Sequence, residues 1–287
     1  MGFGNYSTEN RTLRSTAEGY YTKSTEEIFT NRSIDNLMNP YDVKIRESRD
    51  SEEHPESLAI ILALDETGSM KRIPHELIKD GLPSIMSGLM ETGIEHPQIL
   101  FIGIGDHVYD NAPLQISQFE TSDELLDKWL TKVYLEGKGG GNNGESYMLA
   151  WYFAANHTSI DCFEKRNQKG FLFTIGDEPV LPTIDNGTLR KIMGSSAAHP
   201  QLTDQTSKDL LKAAQDKYHV YHLHIKEGWQ GEREDVMNGW RELMGENLII
   251  IEDYRKISTT INEIIIKHKT EIHSSINSSI KPKKHLL

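Results

Sequence analysis

Five runs of mainly apolar residues, each of strand length, constrain this chain most. They are Leu58–Leu64 (LAIILAL), Ile99–Ile104 (ILFIGI), Gly170–Ile175 (GFLFTI), His219–Ile225 (HVYHLHI) and Leu248–Ile251 (LIII). Such runs suit strands covered on both faces, as in a parallel sheet. Helix-length segments lie between them: Ile73–Glu91, Ser122–Leu135, Glu145–Asn156, Thr203–Lys217 and Glu232–Met244. A last one starts at Tyr254 and places Ile257, Ile261, Ile264 and Ile265 at helical spacing. Leu114–Phe119 adds a short edge strand. Strands alternating with helices predict an α/β fold, a doubly wound and mainly parallel six-stranded sheet flanked by helices.

Outside residues 55–272 the pattern changes. Residues 1–54 are polar with little periodic apolar signal, and they read either as small elements packed on the domain or as a disordered arm. The charge-dense stretch Glu47–Glu56, with Pro55 near its end, marks the boundary. Residues 273–287 are Ser-rich, end in a Lys-Pro-Lys-Lys segment, and read as a flexible tail. The charge sum over 287 residues is 31 − 43 = −12. An acidic balance argues against nucleic acid or an anionic membrane as partner, since both need a basic footprint. A single cysteine, Cys162, leaves no internal disulfide. The start carries no apolar signal core, and Tyr6 stands where a myristoylation motif needs Ser or Thr. With no apolar run of membrane-spanning length, the expectation is a cytoplasmic protein.

In open α/β sheets ligands gather beyond the carboxyl ends of the strands. There the first strand runs into Asp65-Glu66-Thr67-Gly68-Ser69, the second into Gly105-Asp106-His107, and the fourth into Gly176-Asp177-Glu178. A glycine-rich loop, Gly137–Glu145, opens the helix before that last strand. Asp65, Thr67 and Ser69 alternate, so an extended turn aims three oxygens at one point. If the strands bearing Asp65 and Asp177 are neighbours, their ends lie about 5 Å apart, within reach of one ion. Oxygen donors without cysteine or clustered histidine suit a hard cation, Mg²⁺ above all, with Mn²⁺ or Ca²⁺ as alternatives.

These residues resemble a known family. Asp65-Glu-Thr67-Gly-Ser69 is similar to the metal-ion-dependent adhesion site of von Willebrand factor A domains. The loop GGGNNGES resembles the GGGDxPE variant of hemicentin-like and bacterial members, and Thr174-Ile-Gly-Asp177 resembles the third metal loop. The resemblance spans about residues 57–270 and extends to A-domain proteins of bacteria and bacteriophages. It implies a sheet order of 3-2-1-4-5-6 with strand 3 antiparallel. It also implies Thr67 and Ser69 as direct ligands, and Asp65 and Asp177 as carboxylates binding directly or through water. The family's second-loop threonine falls on Asn142. Asn143 takes its place if the loop slips by one, and Glu145 can supply charge from the helix start. Asp106 and His107 stand beside the ion as supporting residues.

The function expected is metal-dependent protein binding, not catalysis: a cation neutralised by two aspartates stays electrophilic toward a third carboxylate from a partner. The resemblance adds partnerships with AAA+ ATPases among bacterial members. Two alternatives stand beside it. One is a Mg²⁺-dependent hydrolase with His107 or Glu145 as general base; the other is a scaffold whose metal site is vestigial. His222 and His224 share a strand face but lack a visible third ligand, so hydrogen bonding within the strand is expected for them rather than zinc. Cys162 is expected to be a small packed residue.

Overall fold

The computed structural model describes residues 4–66, 68–137, 144–197 and 204–279, without the side chains of Ser69 and residues 272–279. Its central sheet is built, in chain order, from β1 Leu58–Asp65, β2 Pro97–Ile104, β3 Leu114–Ile116, β4 Gly170–Gly176, β5 Tyr218–Ile225 and β6 Leu248–Ile251. The lateral order is β3-β2-β1-β4-β5-β6. Every neighbouring pair is parallel except β2 with β3. The sheet is therefore mixed, and its order and single antiparallel edge strand are those the family resemblance implied. Residues of β1, β2 and β4 are buried along their whole length, as strands covered on both faces must be.

The longer helices are α1 Thr8–Glu18, α2 Leu82–Glu91, α3 Asp123–Thr131, α4 Tyr147–Asn156, α5 Asn186–Met193, α6 Ser207–Lys217, α7 Glu234–Met244 and α8 Ile257–Ser279. Alternation along β5 separates the two covering layers. Tyr221 faces α8 through His268, whereas His222 faces α7 through Trp240. α8 packs with α2, and α4 with α6. α4 is buried nearly all round, from Tyr147 to Ala154, which explains its uniformly apolar sequence.

The segment expected as one helix from Ile73 to Glu91 is helical throughout, but its winding changes along the way. A 3₁₀ turn, Gly68–Lys71, leads into a short α-segment, Arg72–Glu76, and a π-turn, Leu77–Gly81, precedes α2. The cause is Pro83, which has no N–H to give to the carbonyl of Lys79. That carbonyl instead accepts from the Tyr21 hydroxyl at 3.3 Å, and the neighbouring Ile78 carbonyl accepts from the Arg11 guanidinium.

Both donors come from the segment before Pro55. Arg11 also pairs with Asp127 of α3 at 2.9 Å, with both side chains buried. Tyr6, Tyr20, Ile28, Phe29 and Met38 join the main core. Arg46–Ser48 pairs in parallel with Thr158–Ile160. No helix among the described residues is long and apolar enough to cross a membrane.

Candidate functional site at the carboxyl edge of the sheet

Parallel pairing of β1 with β4, in register through Leu64 and Ile175, brings the two strand ends side by side. Asp65 closes β1 and Asp177 follows β4, and both are buried. The Asp65 carboxylate lies over Gly176: a Cβ there would stand 2.8 Å from Asp65 Oδ2 and collide with the Tyr147 hydroxyl. Tyr147, the first residue of α4, donates that hydroxyl to Asp65 Oδ2 at 2.8 Å. Asp177 packs in the same manner against Gly228, and its Oδ2 accepts from the Gln230 backbone N–H at 2.8 Å. Glycine at 176 and 228 is thus a steric requirement for carboxylates to sit against the backbone.

More acids surround this pair. Glu66, Asp106 and Glu145 are buried, and none of the ion pairs among the described residues involves them. Glu66 Oε1, Asp106 Oδ2 and Glu145 Oε2 find no hydrogen-bond partner among the described residues. Burial, reinforced by Asp65, Asp110, Asp106 and Glu178, holds the Glu145 carboxyl well above the usual range. Burial and then Asp177 and Asp65 push Glu178 up to about 7. Glu66 is also raised, by burial first and then Asp65. Its carboxyl fills the space beside Gly103 and accepts from the Gln115 amide.

Buried negative charge without a counter-ion is costly, so an acid in such a place holds its proton or meets a cation. The donor set is oxygen-rich and suits a hard cation. Among the described residues no three His, Cys, Asp or Glu side chains are arranged to hold an ion.

Of the residues expected in the site, Thr67, Asn142 and Asn143 lie outside the described residues. Ser69 has its backbone in the 3₁₀ turn after β1. The first loop and the start of the glycine loop do approach each other. A Cβ on Gly68 would stand 3.7 Å from the Gly137 carbonyl, and the Lys71 side chain lies against Gly137. Asp106 Oδ1 accepts from the Val108 N–H at 2.8 Å, bending its own loop. His107 is held at the rim, with its backbone N–H and its Nδ1 each 2.8 Å from Ser146 Oγ. Burial lowers its basicity.

Residues that the sequence reading did not single out complete the surroundings. Tyr147 orients Asp65, Gln230 orients Asp177, and Trp240 donates its indole N–H to the Glu178 carbonyl at 2.9 Å. A tyrosine opening a wholly apolar helix directly after a glycine loop was the available signal for the first. His222 shares a hydrogen bond with Thr174 Oγ1 at 3.0 Å and stacks on Trp240, with centroids 3.5 Å apart. His224 shares one with the Gly231 carbonyl at 2.9 Å. One nitrogen of each ring is satisfied in this way, while His222 Nε2 and His224 Nδ1 are buried without a hydrogen-bond partner among the described residues. Cys162 is packed and fully buried.

No protein-family model and no curated protein sequence matches the chain. Among solved structures, the pilus adhesin SpaC of Lactobacillus rhamnosus GG in its open conformation aligns at 11% identity and a TM-score of 0.49. The alignment covers 78% of this chain and 31% of that one, so the chain spans about a third of the adhesin's length. Proximal thread matrix protein 1 of the mussel byssus aligns at 11% identity with a TM-score of 0.45, covering 73% of this chain and 47% of that one. The vWF domain of the type V pili tip protein Mfa5 from Porphyromonas gingivalis aligns at 10% identity and a TM-score of 0.43, covering 85% and 99%.

Proposed function

We propose that the carboxyl edge of the sheet holds a divalent cation, Mg²⁺ by donor chemistry, and that the chain is a protein-binding module of von Willebrand factor A type. Asp65 and Asp177 hold the ion directly or through water, with Thr67, Ser69 and Asn142 (or Asn143) supplying neutral oxygens. A partner protein completes the coordination with an Asp or Glu side chain. One observation carries the reading: adjacent parallel strands deliver two buried aspartates to the same sheet edge, where Asp106 and Glu145 keep buried oxygens without a protein donor among the described residues. The strand order, with its antiparallel third strand, supports the family part of it.

Two aspartates neutralise a divalent ion, and hydroxyl or amide oxygens add ligation without charge, so the ion keeps its attraction for an incoming carboxylate. Tyr147 and the Gln230 N–H orient the two aspartates, as outer partners of metal ligands do. The test is calorimetric titration of Mg²⁺ and Mn²⁺ into the metal-free protein and into its Asp65→Ala variant. Saturable binding to the first and none to the second is expected; equal heats from both would end the proposal. Metal-dependent turnover of a phosphoester panel, lost in Asp177→Ala, would favour the hydrolase instead.

A further inference from the structure

The opposite end of the same sheet carries a cavity that the metal reading does not use. It encloses ≈ 360 Å³ between the amino ends of β1, β4 and β5 and the α8 helix, a volume suited to a small organic ligand. Its floor is a cluster of rings. The Phe171 and His219 centroids lie 5.1 Å apart, and those of His219 and His268 lie 4.0 Å apart. Tyr221 shares a hydrogen bond with His268 Nε2 at 2.7 Å and fixes that ring. Burial, then His268 and Lys169, push His219 down to about 4, and burial also lowers His268. Both imidazoles are therefore neutral aromatic surface at pH 7.

The rim has the opposite character. Lys169 donates to the Gln215 carbonyl at 2.5 Å, and Lys269 to the carbonyls of Thr92 and Gly93 at 3.1 and 2.5 Å. Neither ammonium is paired with a carboxylate among the described residues, and each is held in place by backbone carbonyls. Arg166, also on the lining, is already paired with Asp50 at 2.6 Å. Glu56 lines the cavity as well, but it is exposed. The loop bearing Arg166 and Lys169 is set by Asn167 in the left-handed region, φ 51°, with its N–H given to the Phe163 carbonyl at 2.9 Å. In a chain of net charge −12, two ammonium groups held by backbone carbonyls stand above a neutral ring floor, with exposed Glu56 on the lining and Glu271 near His268 as the acids about them.

We propose that this cavity binds a small aromatic carboxylate, its ring laid on Phe171, His219 and His268 and its carboxylate directed to Lys169 and Lys269. A planar ring can pack on this tilted cluster, whose neighbouring rings are inclined by 34° and 32°, and a carboxylate supplies the charge that the two carbonyl-held ammonium groups lack. The proposal stands apart from the metal site, because none of its residues touches Asp65 or Asp177.

The test titrates the full chain with 2-naphthoate, with the neutral isostere 2-naphthalenemethanol, and with inorganic phosphate, followed by calorimetry and by the ring-proton resonances of His219 and His268. Saturable naphthoate binding that shifts both resonances is expected, with the other two probes at least about tenfold weaker. The variant Lys169→Gln/Lys269→Gln, checked for an unchanged circular dichroism spectrum, should weaken naphthoate about tenfold or more. Binding of naphthalenemethanol as tight as naphthoate would reduce the cavity to an apolar hole. Equal binding of phosphate would reduce it to a charged rim. No naphthoate binding at millimolar concentration, no histidine shift on binding, or undiminished affinity in the folded double variant would each overturn the proposal.

Discussion

The two ends of the sheet use the same strands and solve opposite electrostatic problems. At the carboxyl end, β1 and β4 run into Asp65 and Asp177, and around them Glu66, Asp106 and Glu145 are buried without an ion pair among the described residues. At the amino end, Phe171 and His219 stand second in β4 and β5, and the nearby charges include two ammonium groups held by backbone carbonyls. Elsewhere a buried charge meets its opposite directly: Arg11 and Asp127 are 2.9 Å apart. Where stability alone is served, charge is closed off by charge. Where it is left open, a visitor of the missing sign is the natural complement.

The comparison breaks first at the acidic end. Asp177→Asn should weaken divalent-cation binding by about a hundredfold or more, read by calorimetry, because a ligand and half the balancing charge are lost together. Removing only the orienting hydroxyl, in Tyr147→Phe, should cost about tenfold in the same measurement, since Asp65 stays but loses its 2.8 Å hydrogen bond.

Next, the two ends should titrate in opposite directions. His219, lowered to about 4 from an ordinary 6.5, takes its proton more readily in the unfolded chain. Its contribution is therefore complete above about pH 6.5 and is lost as pH falls toward 4, amounting to about 1–2 kcal/mol for a partly exposed ring. Glu178, raised from 4.5 to about 7, takes its proton more readily in the folded chain. Its contribution is present below pH 4.5 and is lost as pH rises through 7. Urea melts of the metal-free protein should thus show an acid arm that His219→Phe flattens and an alkaline arm that Glu178→Gln flattens. A profile unchanged by either substitution would contradict the assignment. The smallest effect belongs to Glu66→Gln. A carboxyl that burial raises well above the usual range should tolerate the amide within about 0.5 kcal/mol in the same melts.

How far the chain could be read in advance differs from element to element. The strands are legible because residues such as Leu58–Leu64 are apolar on both faces, and only a doubly covered sheet buries both. The π-turn before α2 had a visible cause in Pro83, but its form depends on Arg11 and Tyr21, which lie some sixty to seventy residues earlier in the chain. α1 was hidden because its buried side includes Arg11 and Ser15 rather than an apolar stripe. In the candidate site, Asp65 and Asp177 stand out at strand ends. Tyr147 does not, because its hydroxyl has a partner only once α4 is folded over β1.

Local composition was therefore enough to define the alternation of covered strands and helices, and the loops in which short oxygen-bearing residues collect. Periodicity and strand-end position are properties of neighbouring residues, and they survive without the fold. Which loops meet, which acids lose their water, and which histidines stack are decided by contacts between residues tens to more than a hundred positions apart. His219 and His268 become one aromatic surface through the return of α8, and Asp65 and Asp177 become buried neighbours through the parallel pairing of β1 with β4. Desolvation, which sets the charge of each group, has no counterpart in the linear chain.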